Sequence, residues 1–140
     1  MKMKCILTLP EVDGILIAAR NEAAKNNWPV TIAVVDDGGH LLGLSRLDGA
    51  SPASASIATE KARTSAIGRR ESKAFEDMIN GGRFAFLSTP LLATLEGGLP
   101  IMFDGQCVGA VGVSGVKSDQ DAQIAAAGVS TALRRSPTDS

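Results

Sequence analysis

Apolar residues recur at helical intervals early in the chain, at Val12, Ile15, Leu16, Ala19 and Ala23. That spacing predicts an amphipathic helix. Thr8-Leu-Pro-Glu11 supplies its start, with capping-box spacing and a proline in the first turn. The helix should fade at Asn26-Asn27. From residue 30 the pattern changes to β-rich runs on both sides of a glycine turn. The first, 30–47, turns at Asp36-Asp-Gly-Gly39, and the second, 99–115, turns at Asp104-Gly105. An Asp-Gly pair between such runs is a strong hairpin signal. Ser51 and Pro52 read as N-cap and first residue of a second helix that runs to about Ile67 and ends at Gly68. Its Ala55, Ala58, Ala62 and Ala66 form a stripe that would let the helix lie close against a sheet. A more polar third helix is predicted over 69–80, stopped by Gly81-Gly82. Weak alternation from Arg83 to Leu87 suggests a short strand before Gly97-Gly98. Ser118-Asp-Gln-Asp121 caps a last helix, with Ile124, Ala127 or Gly128, Thr131 and Ala132 facing inward.

The order helix, hairpin, helix, helix, short strand, hairpin, helix predicts an α+β domain. Its antiparallel sheet would have five strands, covered by helices mainly on one face, in two layers. A chain of 140 residues suits one domain, placed at 1–135, with an unstructured tail at 136–140. Aromatics are only 4% of the sequence and tyrosine is absent, so the core must be aliphatic and alanine-rich. With Lys+Arg 14 against Asp+Glu 15, charge gives no case for nucleic acid or an anionic membrane as partner. No apolar run approaches the length of a membrane span, and the start does not read as a signal peptide. Cys5 and Cys107 are widely separated, which points to reduced thiols and a cytoplasmic location.

Candidate chemistry gathers at the hairpin ends. His40 is the single histidine, which excludes a multi-histidine zinc site, and no metal site is expected. If Gly38-Gly39 make a two-residue turn, Asp37 faces His40 and can orient its imidazole as base or ligand. Asp36 is a second proton carrier there. Arg46 ends the second strand of the first hairpin, and Lys61 borders the alanine stripe of the second helix. Together they could recognise a small anion, and a half-buried lysine could also form an imine. Gly97-Gly98 and the loop Ser114-Gly115 before the last helix offer backbone N–H groups that favour anions. The catalytic candidates are therefore Lys61, Asp36 and His40, and the ligand-binding candidates are Arg46, Lys61, Gly98, Ser114 and Gly115. Cys107, Met102 and Met78 read as packing residues and as alternative soft ligands should heme bind, Cys107 being the alternative to His40 as axial ligand.

Three ordered segments resemble the GlcG/HbpS family, the heme-degrading domain family. They are Val34-Val-Asp-Asp-Gly-Gly-His-Leu41 with Arg46-Leu-Asp-Gly49, then Glu60-Lys-Ala-Arg-Thr-Ser-Ala66, then Gly97-Gly-Leu-Pro-Ile101 with Gly109-Ala-Val-Gly-Val-Ser-Gly115 and Asp119-Gln-Asp121. The resemblance covers about residues 5–134. It implies a profilin-like fold, compared also with PAS domains, built on a five-stranded antiparallel sheet. It implies homo-oligomers, from dimers up to octamers. Its name-giving secreted member binds heme and iron. Other members are encoded beside glycolate or aromatic-degradation enzymes, which implies a small carboxylate as ligand or substrate. For this chain the resemblance thus implies a small-ligand protein. The ligand would be a compact carboxylate held by Arg46 and Lys61, or heme with His40 as axial ligand, while a third reading is a non-catalytic assembly module. Glu60, Glu71 and Glu76 lack the Glu-x-x-Glu spacing of the secreted branch's iron site.

Overall fold

The computed structural model describes residues 1–133. The expected tail at 136–140 lies outside the described residues. In chain order the elements are α1 (Leu9–Asn26), β1 (Thr31–Asp36), β2 (Leu41–Arg46), α2 (Pro52–Gly68), α3 (Ser72–Asn80), a 3-10 turn (Phe84–Ser88), β3 (Gly98–Phe103), β4 (Gln106–Ser114) and α4 (Ser118–Leu133). The strands form one antiparallel sheet in the order β2-β1-β4-β3.

Among the described residues the sheet has four strands, not five. The segment expected to supply the fifth coils into the 3-10 turn, where Phe86 faces α3 rather than a neighbouring strand and Phe84 stays exposed. The rings of Phe75 and Phe86 stand 5.5 Å apart, and the Arg83 guanidinium lies over Phe86. The layering also differs from the expected two layers. Ile32 and Val34 of β1 and Val111 and Val113 of β4 join Val12, Ile15 and Ala19 of α1 and Ile124 and Ala125 of α4 in one core. The alternating residues Ala33, Val35 and Ala110 pack on Ala58, Ala62 and Ala66 of α2 on the other face. Helices cover both faces, so the fold has three layers, and β1 and β4 are buried on both sides.

The alanine stripe does what its composition implies. A Cβ at Gly112 would sit 2.1 Å from the Ala58 carbonyl oxygen, and one at Gly98 would sit 2.3 Å from that of Lys61. Backbone meets backbone there, and any side chain would push α2 off the sheet. Gly68 ends α2 for a related reason. A Cβ on it would lie 2.5 Å from Cζ of Phe75, while Arg69 takes the left-handed conformation (φ 58°) that closes the helix. This αL cap delays α3 to Ser72, three residues later than the sequence pattern predicts. The second hairpin turns at Asp104 and Gly105, both at positive φ, as an Asp-Gly turn requires.

Candidate ligand site

The β1–β2 turn is built around one carboxylate. Oδ1 of Asp36 accepts the backbone N–H groups of Gly38 and His40, each at 2.9 Å. The imidazole Nδ1 of His40 lies 3.1 and 3.2 Å from the two carboxylate oxygens of the same Asp36. Asp36, not Asp37 as the two-residue turn predicts, is thus the partner of His40. Asp37 bonds Lys4 at 2.8 Å, and its carbonyl accepts from Arg69. Burial opposes ionisation of Asp36. The N–H groups of His40 and Gly38 and the adjacent imidazole outweigh it and hold the carboxyl below its ordinary pKa.

This arrangement settles the direction of the ring. With Nδ1 turned to Asp36, Nε2 faces outward on a side chain that is 81% exposed. A carboxylate behind the far nitrogen is how proteins fix a ligating or basic histidine. The turn leans on α2, where Gly39 meets the side chains of Ile67 and Arg63. Leu41, next to His40, and Ile67, against Gly39, are both substantially exposed, so apolar and cationic groups share this end of the molecule.

The other expected ligands fall into separate places. Arg46 lies at the far end of β2, paired across the sheet with Thr31, which pairs in turn with Ser114. Thr31 joins its hydroxyl to that of Ser54 in the first turn of α2, at 2.7 Å. The guanidinium of Arg46 donates to the carbonyl of Ala50, at the entry to α2. Arg46 and Ser114 therefore share one cross-strand row beside the α2 N-terminus. Gly115 is pressed against Pro29 and Val30, where a Cβ would lie 2.6 Å from the Pro29 carbonyl. The N–H groups that follow it are already bonded, Val116 to Oδ1 of Asp121 and Lys117 to Oε1 of Gln120.

Lys61 is buried. Its ammonium donates to Oδ2 of Asp121 at 3.1 Å and to the carbonyl of Val113 at 3.0 Å. Gly97 makes room for it, since a Cβ there would lie 2.8 Å from Nζ. Burial raises the Asp121 carboxyl above its ordinary pKa, against the attraction of Lys61 that pulls it down. Gly98, at the start of β3, bonds its N–H to the hydroxyl of Ser72 on α3. Asp121 is the partner that sequence reasoning missed, because a carboxylate in a helix's first turn reads as a cap. Cys107 turns its thiol to the carbonyls of Ala66 and Gly109. A groove of about 240 Å³ between α2 and the 92–95 segment is lined by Ile57, Leu92 and Leu95 with Glu60 at its edge, below the roughly 300–1,000 Å³ usual for ligand pockets. No described helix is long and apolar enough to cross a membrane.

Residues 7–130 match the family model described as "Haem degrading protein HbpS-like". The chain belongs to the HbpS-like family. Within it, the chain is 58% identical over 114 residues to protein GlcG of Escherichia coli K12, a match covering 81% of this chain and 85% of GlcG. Two crystal structures share the fold closely. A double mutant of Streptomyces reticuli HbpS superposes with a TM-score of 0.85 at 31% identity, over 93% of this chain and 89% of that one. Protein ORFY of Klebsiella pneumoniae superposes with a TM-score of 0.89 at 26% identity, over 96% and 97%. The HbpS-like signature segments read from the sequence thus map onto both hairpins, α2 and the start of α4.

Proposed function

We propose that this HbpS-like chain is a small-ligand protein whose ligand is heme, held through Nε2 of His40. The observation that carries the reading is the Asp36–His40 pair. It fixes the ring by Nδ1 and leaves the second nitrogen outward on an exposed turn. A proximal histidine is a common protein ligand to heme iron, and a carboxylate on its far nitrogen strengthens it as a donor. Leu41 and Ile67 offer apolar contact for a macrocycle, and Arg63 offers a cation for its propionates. The family description, which names haem, points the same way. When bound, heme would supply the iron chemistry, and the chain's own part is to coordinate and orient it. Titration with hemin tests this. The wild type should give a saturable shift of the Soret band, and His40→Ala should lose it. An identical titration of the variant would reject His40 as the ligand.

A second reading concerns a compact carboxylate. The row of Arg46, Thr31 and Ser114 beside the first turn of α2 favours it, since a guanidinium and a helix N-terminus both attract anions. Lys61 has no part in this version, because Asp121 already neutralises it. Ligand-observed NMR with a panel of two- to six-carbon carboxylates should show binding that Arg46→Ala weakens. Equal binding by the variant would reject this reading.

A further inference from the structure

The groove between α2 and the 92–95 segment continues inward as a buried polar cluster. Ile57 and Glu60 on α2 face Leu92, Ala93 and Leu95 across it. One helical turn further along the same face stand Lys61, Thr64 and Ser65, and just beyond Leu95 the chain reaches Gly97 and Gly98. These glycines lie directly on that turn. A Cβ at Gly97 would be 2.8 Å from Nζ of Lys61, and one at Gly98 would be 2.8 Å from Oγ of Ser65. Floor and roof of the open groove are therefore also the floor and roof of the closed cluster.

The cluster holds more polar groups than its packing uses. Lys61 and Asp121 are buried against each other, and Thr64 and Ser65 are 1% and 0% exposed. The hydroxyls of both have no hydrogen-bond partner among the described residues. An unpaired buried hydroxyl is destabilising, and here two of them follow one amine by three and four residues on a helix. The roof above is lightly held. The 83–96 segment runs between Gly81-Gly82 and Gly97-Gly98, and a Cβ at Gly82 (φ 109°) would meet nothing within 4 Å. The segment is tied to α3, through the Phe75–Phe86 contact, the bond of Ser72 to the Leu95 carbonyl and that of Glu76 to the N–H of Glu96. Phe84, Leu87 and Leu92 face solvent. A segment held this way can open without disturbing the sheet.

We infer that this groove takes a small uncharged aldehyde or ketone with an apolar tail, and that Lys61 holds it as an imine. The tail lies against Ile57, Leu92 and Leu95, and Glu60 at the edge disfavours a carboxylate there. The ammonium of Lys61 passes one proton to Oδ2 of Asp121, 3.1 Å away. Burial already favours the protonated form of that carboxyl. The free amine adds to the carbonyl carbon, and the surplus proton on nitrogen moves to the oxygen, to which Thr64 and Ser65 donate. Asp121 then returns its proton, water leaves, and the C–O bond breaks as C=N forms. The product is an iminium beside the Asp121 carboxylate. Charge pairing in the interior is the same before and after, so the step strands no buried charge. The site is separate from the His40 turn and does not depend on heme.

The test treats the full chain with limiting butanal and cyanoborohydride, which reduces an imine to a stable secondary amine, and maps the modified lysines by peptide mass spectrometry. The Lys61 side chain is 4% exposed and that of Lys25 is 75% exposed, so accessibility alone labels Lys61 last. The proposal expects Lys61 first, by about tenfold or more over exposed lysines. A wild type whose exposed lysines are alkylated while Lys61 is not would overturn it, and this result needs no variant. Thr64→Val with Ser65→Ala should slow labelling at Lys61 alone by about tenfold, and an unchanged rate would overturn the site as drawn. The aldehyde 4-oxobutanoate, which adds a carboxylate to the same chain length, should label Lys61 more slowly than butanal, and Glu60→Gln should narrow the gap. Equal labelling of the wild type by both aldehydes would overturn the substrate class. None of these readouts involves hemin, so their failure leaves the His40 reading standing.

Discussion

The ammonium of Lys61 and the carboxylate of Asp121 meet 3.1 Å apart with both side chains buried, and they join the two helical layers that the sheet separates. Lys61 rides on α2, over one face, and Asp121 on the first turn of α4, over the other. The pair passes in front of Gly97, whose missing side chain leaves the space. Val113 and Val116 complete it, one accepting from the lysine and the other donating to the aspartate. The two buried charges among the described residues are therefore matched, and the pair fixes how α2 and α4 are placed about β4. Breaking it should be expensive. Lys61→Met or Asp121→Asn leaves one buried charge alone, which costs about 3–5 kcal/mol. Urea denaturation of each variant would show it as a lowered midpoint, and an unchanged midpoint would contradict it.

The same pair sets a pH response. Burial holds the folded Asp121 carboxyl above its ordinary pKa, with Lys61 pulling against that shift. Between the ordinary value and the folded one, the folded state carries more protons than the unfolded state. Stability from this group therefore falls as pH rises through that window and levels off beyond it. In Lys61→Met the downward pull is gone, so the carboxyl should titrate at higher pH and the window should extend upward. Carbon-13 NMR of the Asp121 carboxyl against pH reads both midpoints directly. Equal midpoints would show that Lys61 does not act on Asp121.

Glycine at 112 and at 98 is a packing requirement. An added methyl would collide with backbone of α2 at 2.1 and 2.3 Å respectively. Neither neighbour is a flexible side-chain end, so the helix itself must move. Gly112→Ala and Gly98→Ala should each lose about 1–3 kcal/mol or more, the usual cost of overpacking. Ala53→Ser, on the exposed outer side of α2, should lose little. Thermal unfolding of the three variants checks this, and midpoints for the two glycine variants as high as that of Ala53→Ser would contradict a packing role.

Two hydroxyls near this contact should behave in opposite ways. Ser72 accepts the N–H of Gly98, so Ser72→Ala strands a buried donor and should cost about 1–3 kcal/mol. Thr64 is buried and its hydroxyl has no hydrogen-bond partner among the described residues. Thr64→Val keeps the shape, removes the unpaired group, and should be neutral or stabilising by up to about 1 kcal/mol. Chemical denaturation of the pair gives the signs.

Much of this architecture was legible in local patterns. Thr8, Pro10 and Glu11 mark the start of α1, Pro52 that of α2, and Asp104-Gly105 turns the second hairpin because few residues tolerate two successive positive φ angles. The layering was harder to read. The unbroken run from Val30 to Val35 is the signature of a strand buried on both faces, but hairpin chemistry on either side of it suggested a sheet open on one side. The segment 83–98 misled for a different reason. Its alternating phenylalanines satisfy a strand period, yet Phe86 is taken up by Phe75 and Arg83 and Phe84 is exposed. At the candidate site, His40 and an acidic neighbour were visible because both lie in one turn. Which aspartate serves depends on the turn geometry, and it is Asp36. The partner of Lys61 lay sixty residues away, and nothing local distinguishes a buried aspartate in a first turn from an exposed cap.

The proposed coordination of a ligand by His40, aimed by Asp36, is open to imidazole rescue. Hemin is titrated into wild type, His40→Ala, and His40→Ala with free imidazole, while the Soret band is followed. If His40 is the ligand, the wild type gives a saturable band, the variant loses it, and free imidazole restores it by taking the place of the ring. A wild-type band that persists unchanged in His40→Ala, or a wild type that never saturates, would contradict it.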